Sequence, residues 1–164
     1  MPSFKHKYLL IVILCCGLVS TSCAAEKAAN QGLPEAELKA CPDSPNCVFS
    51  GAKDEQHYIA PLAFSLPVAE AWKLLKAQIK KLPRMVVVAD EPGYLHVECR
   101  SAVFGFVDDL EFQLSAQQGV IAVRSAARTG YYDFGANRQR VEDIRAALLP
   151  MRGWTKLTTR NKEK

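Results

Sequence analysis

No apolar run in this chain of 164 residues reaches the roughly 20 that a helix needs to cross a bilayer core; the longest, Tyr8–Val19, has about 12. An excess of one charge is nearly missing too. The formal net charge is +4, and about +2 once Lys5 and Lys7 in the N-terminal segment are set aside. That is too little for a polyanion-binding surface, so nucleic acid is not an expected partner. Histidine is limited to His6, His57 and His96. No paired C-x-x-C or Cys/His zinc spacing, G-x-S-x-G, P-loop, H-E-x-x-H or glycine-rich dinucleotide turn occurs. Without a nucleophile–base–orienter set, no catalytic residue, metal or cofactor is expected, and an enzyme is not the favoured class.

The six cysteines do not form one framework. Cys15 and Cys16 lie in the apolar run and Cys23 ends it; Cys41 and Cys47 are a close pair, and Cys99 stands alone on the apolar phase of a strand. A disulfide-dense mini-protein is therefore excluded, and Cys99 reads as a small buried hydrophobe.

The N-terminus carries a short basic region, Phe4-Lys-His-Lys7, then the apolar run, then Ser20-Thr-Ser-Cys23-Ala-Ala25. This is the pattern of a secretory signal over residues 1–22, and it predicts export. Small residues before Cys23 resemble a bacterial lipobox, in which that thiol is acylated and anchors the chain to a membrane facing the periplasm. Ser20 stands where that pattern has leucine. The alternatives are cleavage after Ala24 or Ala25, giving a soluble periplasmic protein, or an uncleaved anchor. Residues 23–40 are small and polar and read as a tether.

In Cys41-Pro-Asp-Ser-Pro-Asn-Cys47 two prolines and three turn formers fold the backbone back on itself, which suits a disulfide in an oxidising compartment. A redox or metal pair is the alternative, although redox pairs favour two intervening residues and no further ligands are near. Residues 57–65 read as a first strand, in which Pro61 implies either an edge strand or a strand that begins after it. Val68, Ala71, Trp72, Leu75, Ile79 and Leu82 recur at helical spacing behind Pro67. The period then changes to two: 84–89, 94–101, 106–114 and 120–128 alternate apolar and polar residues, with turn signals at Asp90–Gly93 and Gln117–Gly119. A last helix runs from about 137 to 149, with Val141, Ile144 and Leu148 on one stripe, and 151–164 reads as a basic, frayed tail. The order β-α-β-β-β-β-α predicts an α+β domain over 41–150. It would be a curved antiparallel sheet of about five strands with both helices on one face, similar in topology to TATA-binding-protein-like folds.

One polar constellation stands out. Asp108, Asp109 and Glu111 precede Arg124 and Arg128 on the next strand, and Asp133, Asn137, Arg138 and Arg140 mark the turn into the last helix. Opposite charges at matching phase can pair across antiparallel neighbours, and Asp133 or Asn137 can cap the helix. Such a network would fix register; alternatively Asp108, Asp109, Arg124, Arg128, Asp133, Asn137 and Arg138 would receive a small anionic ligand or an envelope protein, since guanidinium groups pair with planar anions. Asp108 and Asp109 point to opposite faces of a regular strand and cannot form a facing acid dyad. The expectation is an envelope lipoprotein that binds a ligand or a protein without catalysis. An enzyme on a small anionic or lipid-derived substrate, and a purely structural protein, are the rivals.

Four stretches carry a resemblance: Cys41-Pro-Asp-Ser-Pro-Asn-Cys-Val48, His57-Tyr-Ile-Ala-Pro61, Phe104-Gly-Phe-Val-Asp-Asp-Leu-Glu-Phe112, and the run from Val123 to Glu142. Over about residues 41–149 the chain resembles the family called domain of unknown function 1499. Members often carry export or lipoprotein signals, as expected here, and the resemblance implies no activity.

Overall fold

Strict alternation builds the centre of the domain. In the computed structural model, which describes residues 38–157, the apolar phase of three long strands faces one way. These are β4 (Tyr94–Arg100), β5 (Val107–Ser115) and β6 (Val120–Ala127). Leu95, Val97 and Cys99, then Leu110 and Phe112, then Ile121 and Val123 are buried on that face. Helices α1 (Val68–Ile79) and α2 (Ala136–Leu148) bring Ala71, Leu75 and Ile79, and Val141, Ile144 and Leu148, into the same core. Both helices therefore cover one face, as single apolar stripes require.

The fold is α+β with an open antiparallel sheet of seven strands. Strand β3 (Met85–Glu91) forms one edge beside β4, followed by β5 and β6. The next place is shared by β1 (Cys47–Phe49), against the second half of β6, and β2 (Leu62–Phe64), against its start. Strand β7 (Trp154–Thr155) pairs with β2. A register shift between Val87 and Ala89 bends the exposed β3 edge, a device that hinders edge-to-edge pairing.

Seven strands replace the expected five, the additions being β1 and β7, and the first expected strand is shorter. Within 57–65 the strand begins after Pro61, as Leu62–Phe64, one of the two expected forms, and before it Tyr58 makes an isolated bridge with Phe49. Pro61 has no N–H to give, and the carbonyls of Ala60 and Pro61 accept from the buried Arg145 guanidinium instead. Strand β1 went unpredicted because three residues have too little periodicity to register. The expected frayed tail begins as structure: Trp154 is buried against Phe64, ring centroids 6.0 Å apart, and Gly153 turns the chain at φ 85° into β7. The expected signal (1–22), Cys23, residues 23–37 of the expected tether, and residues 158–164 lie outside the described residues. No helix among the described residues is long and apolar enough to cross a membrane.

Replacing Trp154 by Ala should cost about 3–5 kcal/mol, as for other buried aromatic truncations, read as a fall in denaturation midpoint. Trp154→Phe should cost less, since it also deletes a buried indole N–H that has no partner among the described residues. A midpoint unchanged in Trp154→Ala would return this segment to the status of a tail.

Candidate functional site

The two aspartates part as alternation demands. Asp109 lies on the sheet face away from the helices, inside a ladder of charges at half-buried positions. His96 Nε2 is 2.7 Å from one of its oxygens, and Arg128 donates from Nε and Nη2 at 2.7–3.1 Å. The same guanidinium reaches Glu98 at 2.8 Å. One position along, Glu111 accepts from Tyr94 and from Arg124, each at 2.8 Å, with Glu111 and Arg124 directly opposite in register. Burial alone would raise the Asp109 carboxyl, but the hydrogen bonds and charges of Arg128 and His96 hold it below the ordinary carboxylate range. Those same acceptors, Asp109 first and then Glu98, raise Arg128. For Tyr94, burial and then the Glu111 carboxylate push the phenol up.

Asp108 faces the helices and is buried, where it accepts from Arg140. Arg140 also donates to Ser125 Oγ at 3.0 Å and to Asn137 Oδ1 at 2.6 Å. Asn137, fully buried, receives the Ser125 hydroxyl at 2.6 Å and donates its amide to Asp133 and to the Asn46 carbonyl. Asn46 closes the chain of contacts by donating to the Gly130 carbonyl. Of the two possible helix caps it is Asp133 that acts: its oxygens accept from the backbone N–H groups of Gly135 and Asn137. Gly135 holds the capping position itself and has no side chain to offer.

The expected residues thus separate into two networks on opposite faces of the sheet. Arg138 belongs to neither. It donates to the carbonyls of Gln56 and Tyr58, doing for that stretch what Arg145 does for Ala60 and Pro61. Each of these arginines donates to acceptors of the same chain, and the buried Arg124 Nε has no partner among the described residues. The close cysteine pair is a disulfide, Cys41–Cys47. Cys99 is free and buried, and burial pushes its thiol up to about 11. No group of three or more His, Cys, Asp or Glu among the described residues is arranged to hold a metal.

A groove of about 450 Å³ runs beside the disulfide, lined among others by Pro42, Phe49, Lys53 and His57. Its histidine is tied down by Asp54 at 2.8 Å and faces the Ser44 carbonyl at 3.2 Å.

Sequence reasoning passed over a different surface. Arg100 stands opposite Val107, and Asp108 opposite Ala127, so the β4–β5 and β6–α2 loops leave the same end of the sheet. The first loop exposes Val103, Phe104 (77% exposed) and Phe106; the second exposes Tyr131, Tyr132 and Phe134 (91% exposed). Phe104 stacks near Phe106 with centroids 5.7 Å apart, and Tyr132 meets Phe134 edge-on at 5.2 Å. Phe134 has φ 54°, a left-handed conformation that side chains other than those of Gly, Asn and Asp rarely adopt. The available signal was compositional: Ala102-Val-Phe-Gly-Phe106 is an apolar loop, where polar turn formers are the rule.

The family model described as a protein of unknown function, DUF1499, matches residues 37–148. No curated protein and no solved structure matches the chain.

The depressed Asp109 carboxyl makes the outer network stabilising at neutral pH. Protonation removes that contribution as the pH falls below the usual aspartate value of about 3.9 and through the lower folded value. Asp109→Asn should lower the denaturation midpoint at pH 7 and flatten its decline on acidification. Parallel pH curves for the two proteins would show that Asp109 carries none of the acid limb.

Proposed function

Since the chain belongs to the DUF1499 family of proteins of unknown function, whose membership assigns no reaction, we propose that it is a non-enzymatic binding module of the cell envelope. In this reading it is exported behind residues 1–22, anchored through Cys23, and makes contact through the aromatic end of its sheet. The carrying observation is the set of six large apolar side chains exposed on two neighbouring loops. A cluster of large exposed apolar side chains at one end of a domain marks an interaction site more often than an accident of composition.

The arginines are better suited to scaffolding than to capture. An incoming anion at Arg124 or Arg128 would have to displace Glu111, or Asp109 and Glu98, from hydrogen bonds of 2.7–3.1 Å. At Arg138 it would have to strip two backbone carbonyls. Each of these donors is already matched to an acceptor, so an incoming anion gains only the difference between its own contact and the one it displaces. Acid–base work by His96 and Asp109 meets the same obstacle, because Arg128 holds the carboxylate in its ionised, acceptor-only form.

The test is a photo-crosslinker placed at Phe104, at Phe134 and, as a control, at Gln117 in the turn at the opposite end of the sheet. In intact cells adducts should form at 104 and 134 and be scarce at 117. No adduct at any of the three would overturn the contact surface. For the anchor, Cys23→Ala should move the protein from the membrane to the soluble fraction, and unchanged fractionation would remove acylation at that residue.

A further inference from the structure

We propose that the aromatic end docks on the surface of a lipid bilayer, with the rings of loops 101–106 and 130–135 seated at headgroup depth. This rests on the reading of that end as the contact surface and names its occupant. Three features favour lipid over a folded partner.

The first is charge. Between Arg100 and Asp108 the chain carries no ionisable side chain. In the second loop the carboxylate of Asp133 is turned back onto the N–H groups of Gly135 and Asn137 and is not presented outward. What the tip offers is Val103, Phe104, Phe106 and Phe134 with Tyr131 and Tyr132 beside them. Phenyl rings that seek the acyl boundary, and phenols that keep one end wet, are the composition of an interfacial belt.

The second is backbone accounting. At headgroup depth the loop backbone keeps water as a partner, so only the rings need reach the acyl boundary, and each loop has a pinned base from which to present them. In the first, Ser101 N donates to the Phe106 carbonyl at 2.9 Å, and Phe106 N donates to Ser101 Oγ at 3.0 Å. At the root of the second, Arg128 N donates to the Val107 carbonyl at 3.2 Å.

The third is where the disulfide lies. Cys41 is bonded to Cys47, which stands opposite Ala126, the penultimate residue of β6. Asn46 then reaches the Gly130 carbonyl inside the second loop. Cys41, which follows the proposed anchor Cys23 in sequence, is therefore held at the aromatic end of the sheet, not at the turns Glu91–Tyr94 and Ser115–Val120 opposite.

Added tryptophan reporters test this on the full chain. Phe104→Trp, Phe134→Trp and Gln117→Trp are each reconstituted with phosphatidylcholine vesicles whose acyl chains are brominated. The quenching of native Trp72 and Trp154 is subtracted using the unsubstituted protein. The reporters at 104 and 134 should shift to the blue and lose on the order of half their emission, as insertion of an aromatic ring to the headgroup–acyl boundary implies, while the reporter at 117 is unchanged. The loss should persist at high salt, because apolar insertion is not screened; a loss abolished by salt would replace insertion with electrostatic attraction and overturn the proposal. Equal emission at 104, 134 and 117 would overturn it as well. If crosslinks at 104 in cells then run to a protein, the binding module stands and only the bilayer falls. If no crosslinks form there, both fall.

Discussion

A single buried amide, that of Asn137, ties together the disulfide loop, β6, β5 and the start of α2. It lies at the start of α2, takes the Ser125 hydroxyl from β6, and gives its protons to Asp133 and to the Asn46 carbonyl beside the disulfide. Arg140 bridges it to Asp108 on β5. A fully buried amide must satisfy every donor and acceptor it carries or forfeit the desolvation cost of each orphan. Here every one is met, by Ser125, Asn46, Asp133 and Arg140, so each partner constrains the others. The disulfide loop, the centre of the sheet and the first turn of α2 are held as one body by polar geometry rather than by apolar packing alone.

That constraint explains why adjacent aspartates have unrelated surroundings. On β5 the chain places Asp108 toward the helix layer and Asp109 away from it, and each meets its own arginine: Arg140 from a helix, Arg128 from just beyond β6. The inner pair is nearly dry and belongs to the Asn137 node. The outer pair belongs to a ladder open to water, where screening weakens each contact and only its linkage through Glu98 and Asp109 gives it order. Two networks of opposite solvent exposure on the two faces of one strand fix its register, since a slip of one residue would exchange them.

How much of this was legible depended on how local the cause was. The hairpins β4–β5 and β5–β6 and both helices follow from period and turn chemistry, which neighbouring residues decide among themselves. So does the pairing of Glu111 with Arg124, once alternation sets which face each takes. The disulfide follows from two thiols in a turn-rich loop. What escaped is decided from far away. Residues 57–61 have strand composition, but Arg138 and Arg145, about 80 positions later, take the carbonyls that a sheet ladder would have used. Strands β1 and β7 are three and two residues long and exist only because β6 and β2 offer free edges. The exposed rings escaped for another reason: Phe and Val carry the same signature in a core and in a solvent-facing loop, and only the fold tells which it is.

Phe134 shows that the scaffold and the exposed surface are one piece of backbone. Left-handed φ costs a residue with a Cβ roughly 1–2 kcal/mol, and Phe134 is followed by Gly135 with φ 79°. Two successive left-handed residues reverse the chain sharply. The reversal carries Asp133 back to accept the N–H groups that open α2, and the same rotation throws the Phe134 ring outward. A glycine at 134 would make the turn without strain and leave nothing exposed. The phenyl therefore accounts for both the strain and the exposed apolar surface, while the helix cap needs neither. A side chain that costs the fold and packs only on the exposed Tyr132 ring is a reason to look for its value outside the domain, at the end of the sheet that also carries Phe104.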